Sequence, residues 1–238
     1  MSVGQFSIAV LIVAECRPLA TRSAVPHIVG WADLPLVREV RAVVDAKSHD
    51  RHRQAKAYAR PPLPPDEPAR MEALRQYRGL DTLPEQAFDD LTLLAAHICQ
   101  TPVALISLVD TERQWFKSRI GWDASETPRD VAFCAHAIVA PGSLVVPDAL
   151  ADERFAHNPL VLAEPHIRFY AGAPLRAPDG HALGTLCVVD HVPRVFTKEQ
   201  RAALEALSRQ VMAQLELRRC QVQLERIRAD VTPGGPVQ

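Results

Sequence analysis

The chain is 238 residues long, 47% hydrophobic and 23% charged, with a formal net charge of −1. These values exclude wholesale disorder, a strongly basic nucleic-acid binder and an acidic-tail protein; they leave room for one good-sized domain or two small ones. The punctuation is uneven, with 20 prolines against 10 glycines.

Residues 1–60 are weakly patterned. Val3 to Ala14 reads as a strand, and its apolar core, Ile8 to Ala14, falls far short of the ~20 residues a membrane span needs. It has no basic residue ahead of it and no small-x-small cleavage site behind it, so the chain reads as soluble and cytoplasmic, with neither membrane nor nucleic acid as a partner. Leu36 to Ala46 has helical spacing behind Pro35. Residues 1–66 carry nine basic and six acidic side chains, a weak excess that suits a solvated segment. Five prolines then fall within Pro61 to Pro68, a stiff spacer. The expected division is a weakly structured extension over 1–65, a domain over 66–230 and a disordered tail over 231–238.

Asp66 is placed to cap a helix carrying Met71, Leu74 and Tyr77 on one face, which Gly79-Leu80-Asp81 breaks. Thr82-x-x-Glu85 has the form of a capping box for a second helix with Phe88, Leu91, Ala95 and Ile98 at helical period. Val103 to Val109 and Gln114 to Ile120 read as a hairpin, with Trp115 and Phe116 on opposite faces. Leu144 to Val146 is a short strand ended by Pro147. Ile167 to Leu175 and Leu183 to Val189 are two more, joined at Pro178-Asp179-Gly180. Thr197-x-x-Gln200 opens a long helix running to about Arg228. Hairpin-joined strands with helices gathered at both ends predict an α+β fold built on an antiparallel sheet.

The five cysteines are odd in number, widely spaced and without a Cys-x-x-Cys pair, which fits reduced thiols rather than a disulfide framework or zinc ribbon. Cys134 and His136 supply two metal ligands, and His157, His166, His181 and His191 lack the spacing to complete a set, so no metal site is assigned. Cys134 beside His136 has two readings: an activated thiol, or a buried thiol with a histidine bonded to backbone. Arg154 and Arg168 suit an anionic ligand, or else structural pairing; Asp148 and Asp152 suit the pocket rim, or else the cap of a short helix. Phe116, Phe133, Phe155 and Tyr170 suit the walls of a cavity for a flat ligand, or plain core. Gly-x-Gly-x-x-Gly, Walker, Gly-x-Ser-x-Gly and His-Glu-x-x-His motifs do not occur, so no catalytic residue is assigned and no cofactor is specified.

An ordered set of blocks carries a family likeness: Leu80-Asp81-Thr82, Phe88-Asp89-Asp90-Leu91, Ala104 to Asp110, Gln114-Trp115-Phe116-Lys117-Ser118, Glu126 to Asp130, Phe133 to Ile138, Val146-Pro147-Asp148-Ala149, Arg168 to Leu175 and Gly184 to Asp190. Over roughly residues 66–225 the chain resembles the bacterial GAF sensory modules found with sensor histidine kinases and diguanylate cyclases. The resemblance implies a six-stranded antiparallel GAF/PAS-like sheet with the N- and C-terminal helices packed on one face. It also implies a small-molecule pocket over the sheet and a dimer built from the first and last helices. The candidate pocket set is then Phe116, Phe133, Cys134, His136, Asp148, Arg154, Phe155, Arg168 and Tyr170; the candidate dimer stripe is Leu207, Val211, Leu215 and Val222. The reading that follows is a non-catalytic sensory module with an unidentified small-molecule ligand, forming a homodimer and acting on a separate kinase or cyclase. Two alternatives share the fold. One is a free methionine-R-sulfoxide reductase, whose local cysteine motifs Cys99, Cys134 and Cys187 do not match. The other is a tetrapyrrole sensor, whose attachment cysteine before Arg168 has no counterpart here.

Overall fold

The computed structural model describes residues 58–231. The strand expected over Val3–Ala14, the helix over Leu36–Ala46 and the tail after 231 lie outside the described residues. The described elements run α1 (Glu67–Tyr77), α2 (Gln86–Cys99), β1 (Val103–Val109), β2 (Arg113–Ile120), β3 (Glu126–Pro128), a 3₁₀ turn (Arg129–Val131), α3 (Phe133–Ala137), β4 (Leu144–Val146), α4 (Pro159–Leu162), β5 (Phe169–Arg176), β6 (Ala182–Asp190) and α5 (Lys198–Val231).

The strands form one six-stranded sheet in the order β3-β2-β1-β6-β5-β4, every neighbouring pair antiparallel. β1 and β6 are buried along their whole length, as the continuous apolar run VALISLV requires of a strand covered on both faces. One face carries α1, α2 and α5. Met71, Leu74, Phe88, Leu204, Val211 and Leu215 meet Ile106, Leu108, Trp115, Phe169, Leu186 and Val188 there. The other face is covered by α3, α4 and their loops, where Leu105, Phe116, Phe133, Phe155, Tyr170 and Cys187 form a second core. The expected placement of the terminal helices on one face and of Trp115 opposite Phe116 is what the structure shows.

Two local expectations are corrected. Asp66 stands at the N-cap of α1, but its side chain makes no cap bond; its carbonyl accepts from Arg70 N instead. Thr82 does not cap α2, because its hydroxyl donates to Gly79 O and accepts from Lys117 Nζ, leaving Glu85 as the residue before the helix. The buried Lys117 ammonium draws both ends of that turn, bonding Leu83 O and Glu85 Oε1 as well. The box at α5 does form: Gln200 N donates to Thr197 Oγ1 and Thr197 N to Gln200 Oε1, each at 3.1 Å.

Polar bonds fasten α1. Arg70, 1% exposed, donates twice to the Glu67 carboxylate at 2.7 Å, and Arg129 Nη1 donates to the same group at 2.5 Å. Burial works against the Glu67 carboxylate, but the two guanidiniums outweigh it and hold its pKa down to about 2. Gly184 sits where β6 lies against β1; a Cβ there would run into the carbonyl oxygen of Ser107, so a side chain would force the ladder apart.

Candidate functional site

The loop-covered face of the sheet encloses a cavity of about 20 Å³, lined by Leu105, Gln114, Trp122, Phe133, Cys134, Leu160, Ile167, Tyr170, Cys187 and Val189. That is room for about one water molecule. The strands provide its floor, α3 delivers Phe133 and Cys134, and the residues beside β5 close it. Asn158 seats α4 by accepting from Leu160 N at 2.9 Å and donating to Val131 O at 2.9 Å, so this side chain places Leu160 in the wall.

Two buried polar atoms of the wall have no partner. Gln114 Nε2 donates to Thr127 Oγ1 at 2.7 Å while its Oε1 bonds nothing, and Trp122 Nε1 is likewise unpartnered. A buried donor or acceptor left unpaired costs about 1–3 kcal/mol, so one acceptor and one donor at a single cavity define a place for a polar guest. The rest of the wall is aromatic, aliphatic or sulfur, and no charged side chain lines it.

The sulfurs lie together. Cys134 Sγ is 3.7 Å from Cys187 Sγ, and Tyr170 Oη donates to Cys134 Sγ at 3.5 Å. Gly172 makes this possible, since a Cβ there would collide with the Tyr170 hydroxyl lying across it. Ser107 Oγ and Thr185 Oγ1, 3.3 Å apart, complete the polar floor. Burial opposes a thiolate at Cys134, yet donors from Cys187, Ser107, Thr185 and Tyr170 surround its sulfur and lower its pKa. The hydrogen bond to Cys134 and burial push the Cys187 thiol well up. Cys99, on the other face, is pushed up to about 11 by burial.

Of the nine expected pocket residues, Phe133, Cys134 and Tyr170 line the cavity. Phe155 stacks on Phe133 with ring centroids 4.0 Å apart and supports the wall from behind. Phe116 packs edge-on against Trp122. His136 is buried against the edge of Phe155, and burial, then the nearby Arg154, push its pKa down. Asp148 accepts from Leu150 N in its own turn. Arg154 is exposed and bound to Asp152 at 2.9 and 2.6 Å. Arg168 Nη1 donates to Val161 O and Ile167 O, so its charge is spent on holding the loop around α4. Gln114, Trp122, Leu160 and Cys187 were not among the nine. A buried glutamine alternating with Phe116 on β2 was the signal that could have found the first of them. Among the described residues no three His, Cys, Asp or Glu side chains gather as a metal site would require.

The chain belongs to the GAF domain family, whose sequence pattern matches residues 83–215. A cyclic di-GMP phosphodiesterase of Pseudomonas aeruginosa is 46% identical to it over 158 residues; the match takes in 66% of this chain and 27% of that protein. The chain thus spans about a quarter of the length of this relative. Among solved structures, the GAF domain of an Acinetobacter phosphoenolpyruvate-protein phosphotransferase is similar at 15% identity and a TM-score of 0.48, covering 65% of this chain and 95% of that one. Free methionine-R-sulfoxide reductase of Neisseria meningitidis is similar at 17% identity and a TM-score of 0.48, covering 68% and 99%. Among the described residues no helix is long and apolar enough to cross a membrane.

Proposed function

We propose that this chain is a sensory module that takes a small uncharged molecule into the cavity over the sheet and relays its presence to a helix pair formed by two copies of α5. One observation supports the relay above the rest. β5 and β6 carry Tyr170 and Cys187 on the cavity face, and Phe169, Leu186 and Val188 on the face where α5 rests. A guest that displaces the cavity wall therefore moves the strands under the helix, and its binding energy biases the two arrangements of the pair.

The dimer surface differs from the stripe of Leu207, Val211, Leu215 and Val222. Val211 and Leu215 are at 0% exposure inside their own domain, Leu207 is packed against the same core, and Val222 lies beside Gln76, Tyr77 and Arg78 of the α1 end. Beyond Leu215 the helix continues for about 24 Å. Leu217, Leu224 and Ile227 are 52%, 54% and 52% exposed there, and Cys220 is exposed between them. Positions 217, 220, 224 and 227 alternate steps of three and four, the seam of a two-stranded coiled coil. Gln221 and Gln223 flank the seam at e and g positions. The output is a separate kinase or cyclase, or further chain of the kind the 46% identical relative possesses.

The reductase alternative needs a cation for the carboxylate of a free amino acid, and no charged side chain lines the cavity; the tetrapyrrole alternative needs an attachment cysteine ahead of Arg168, and the sequence has none between Cys134 and Cys187. A thermal-shift screen of the full chain against uncharged metabolites bearing both a donor and an acceptor tests ligand binding. The expected hit raises Tm in the native chain and loses about tenfold in affinity in Gln114→Leu. A screen with no hit, or a hit indifferent to Gln114→Leu, contradicts the assignment.

A further inference from the structure

We propose that Cys134 and Cys187 are a dithiol modification site oxidised to an intramolecular disulfide by small hydroperoxides. The two sulfurs are 3.7 Å apart, and a bond needs ~2.05 Å, so oxidation has to draw them together by about 1.6 Å. They belong to elements distant in sequence: Cys134 is the second residue of α3, and Cys187 lies mid-strand on β6 opposite Gly172 and Leu105. The meeting of the sulfurs is thus made by the fold.

Both sulfurs line the cavity whose wall holds an unpaired acceptor, Gln114 Oε1, and an unpaired donor, Trp122 Nε1. Hydrogen peroxide is little larger than water and carries O–H donors beside acceptor oxygens, the two kinds of group these atoms lack. Trp122 and Leu160, the half-buried members of the wall, stand at the solvent side. Tyr170 donates to the Cys134 sulfur, which steadies that sulfur as thiolate. The Tyr170 hydroxyl bonds the Cys134 sulfur, and this marks Cys134 as the attacking sulfur and leaves Cys187 as the resolving one.

The Cys134 thiolate attacks the terminal oxygen of ROOH, the O–O bond breaks, and RO⁻ takes up the proton Cys134 had lost and leaves as ROH. Cys134 now carries S–OH. The Cys187 sulfur attacks the Cys134 sulfur, the S–O bond breaks, and the hydroxide released takes the Cys187 proton and leaves as water. Two thiols and one hydroperoxide give one disulfide, one ROH and one water, with two electrons passing from the sulfurs to the peroxide. The product ties α3 to β6 across the cavity, which makes the pocket a redox-responsive one whatever else it binds.

The test uses the full chain with Cys16→Ser and Cys220→Ser, so that the thiols remaining are the pair and Cys99. The folded protein is treated with hydrogen peroxide, unfolded, alkylated and mapped by mass spectrometry. The expected result is one disulfide joining the peptides of Cys134 and Cys187, with Cys99 fully alkylated. Cys187→Ser should stop at a sulfenic acid on Cys134 that dimedone traps, and Tyr170→Phe should slow the reaction about tenfold. The same mapping of the chain without substitutions repeats the readout should a variant not fold. The proposal is overturned if Cys134 and Cys187 both alkylate after peroxide treatment of the folded protein. It is also overturned if their disulfide forms no faster than in the urea-unfolded chain. Because the readout is the thiols, its failure is distinct from failure of the metabolite screen.

Discussion

Leu217→Glu with Leu224→Glu is expected to turn a dimer into a monomer, raising the dimer dissociation constant by at least about three orders of magnitude. Each side chain is about half exposed in the single chain, so the domain itself loses little, within roughly 0.5 kcal/mol. In the pair the loss counts twice. Four leucines leave the seam, each contributing about 1.5–3 kcal/mol when fully buried, and four carboxylates enter a position that faces its own copy. Even a discounted sum of about 4 kcal/mol corresponds to roughly a thousandfold. Sedimentation equilibrium of the native and substituted chains measures it, with a thermal melt as the control that the domain survives. A substituted chain that stays as dimeric as the native one places the interface elsewhere.

Glu67→Gln is expected to cost about 3 kcal/mol of stability, the range found when one partner of a buried ionic cluster is removed. The substitution leaves Arg70 and Arg129, both nearly inaccessible, sharing an amide that offers one acceptor oxygen in place of two charged ones. The same cluster sets an acid limit. The Glu67 carboxyl is depressed from 4.5 to about 2 in the folded chain, so the folded state binds its proton less readily than the unfolded state. The stabilisation is therefore complete above pH 4.5 and is lost as pH falls towards 2. Denaturant titrations at pH 7 and pH 3 measure both effects: native stability falls between the two, and the part of the fall owed to Glu67 is missing in Glu67→Gln. A variant within 1 kcal/mol of native at pH 7 contradicts the role given to the cluster.

The sheet was legible in the sequence because its signals are local and strong. VALISLV is β-rich and apolar throughout and forms a strand covered on both faces, Pro178-Asp179-Gly180 turns, and Thr197 with Gln200 forms the reciprocal cap its spacing announces. The box at Thr82 failed for a reason no local pattern holds: Lys117, 35 residues on, takes the Thr82 hydroxyl. The site was legible in part. Phe133, Cys134 and Tyr170 could be named from the blocks that carry them, while Arg154 and Arg168 look alike in sequence whether they meet a ligand, Asp152 or a loop carbonyl. Cys187 joins Cys134 only through the register of β6, a long-range fact. On α5 the stripe of Leu207, Val211, Leu215 and Val222 follows one periodicity, whereas the helix carries two. The stripe ending at Leu215 faces the sheet; the one beginning at Leu217 lies about 200° round the helix, at 100° per residue, and is the stripe proposed to meet a partner copy.

Cross-linking through Cys220 measures that second stripe most directly. In a parallel pair in register, Cys220 faces its own copy across the seam. Mild oxidation of the full chain at micromolar concentration should therefore give mostly covalent dimer joined Cys220 to Cys220, absent in Cys220→Ser and in the seam double variant. A chain that remains monomeric in sedimentation and forms no such link would contradict the account of a GAF module that signals through paired copies of α5.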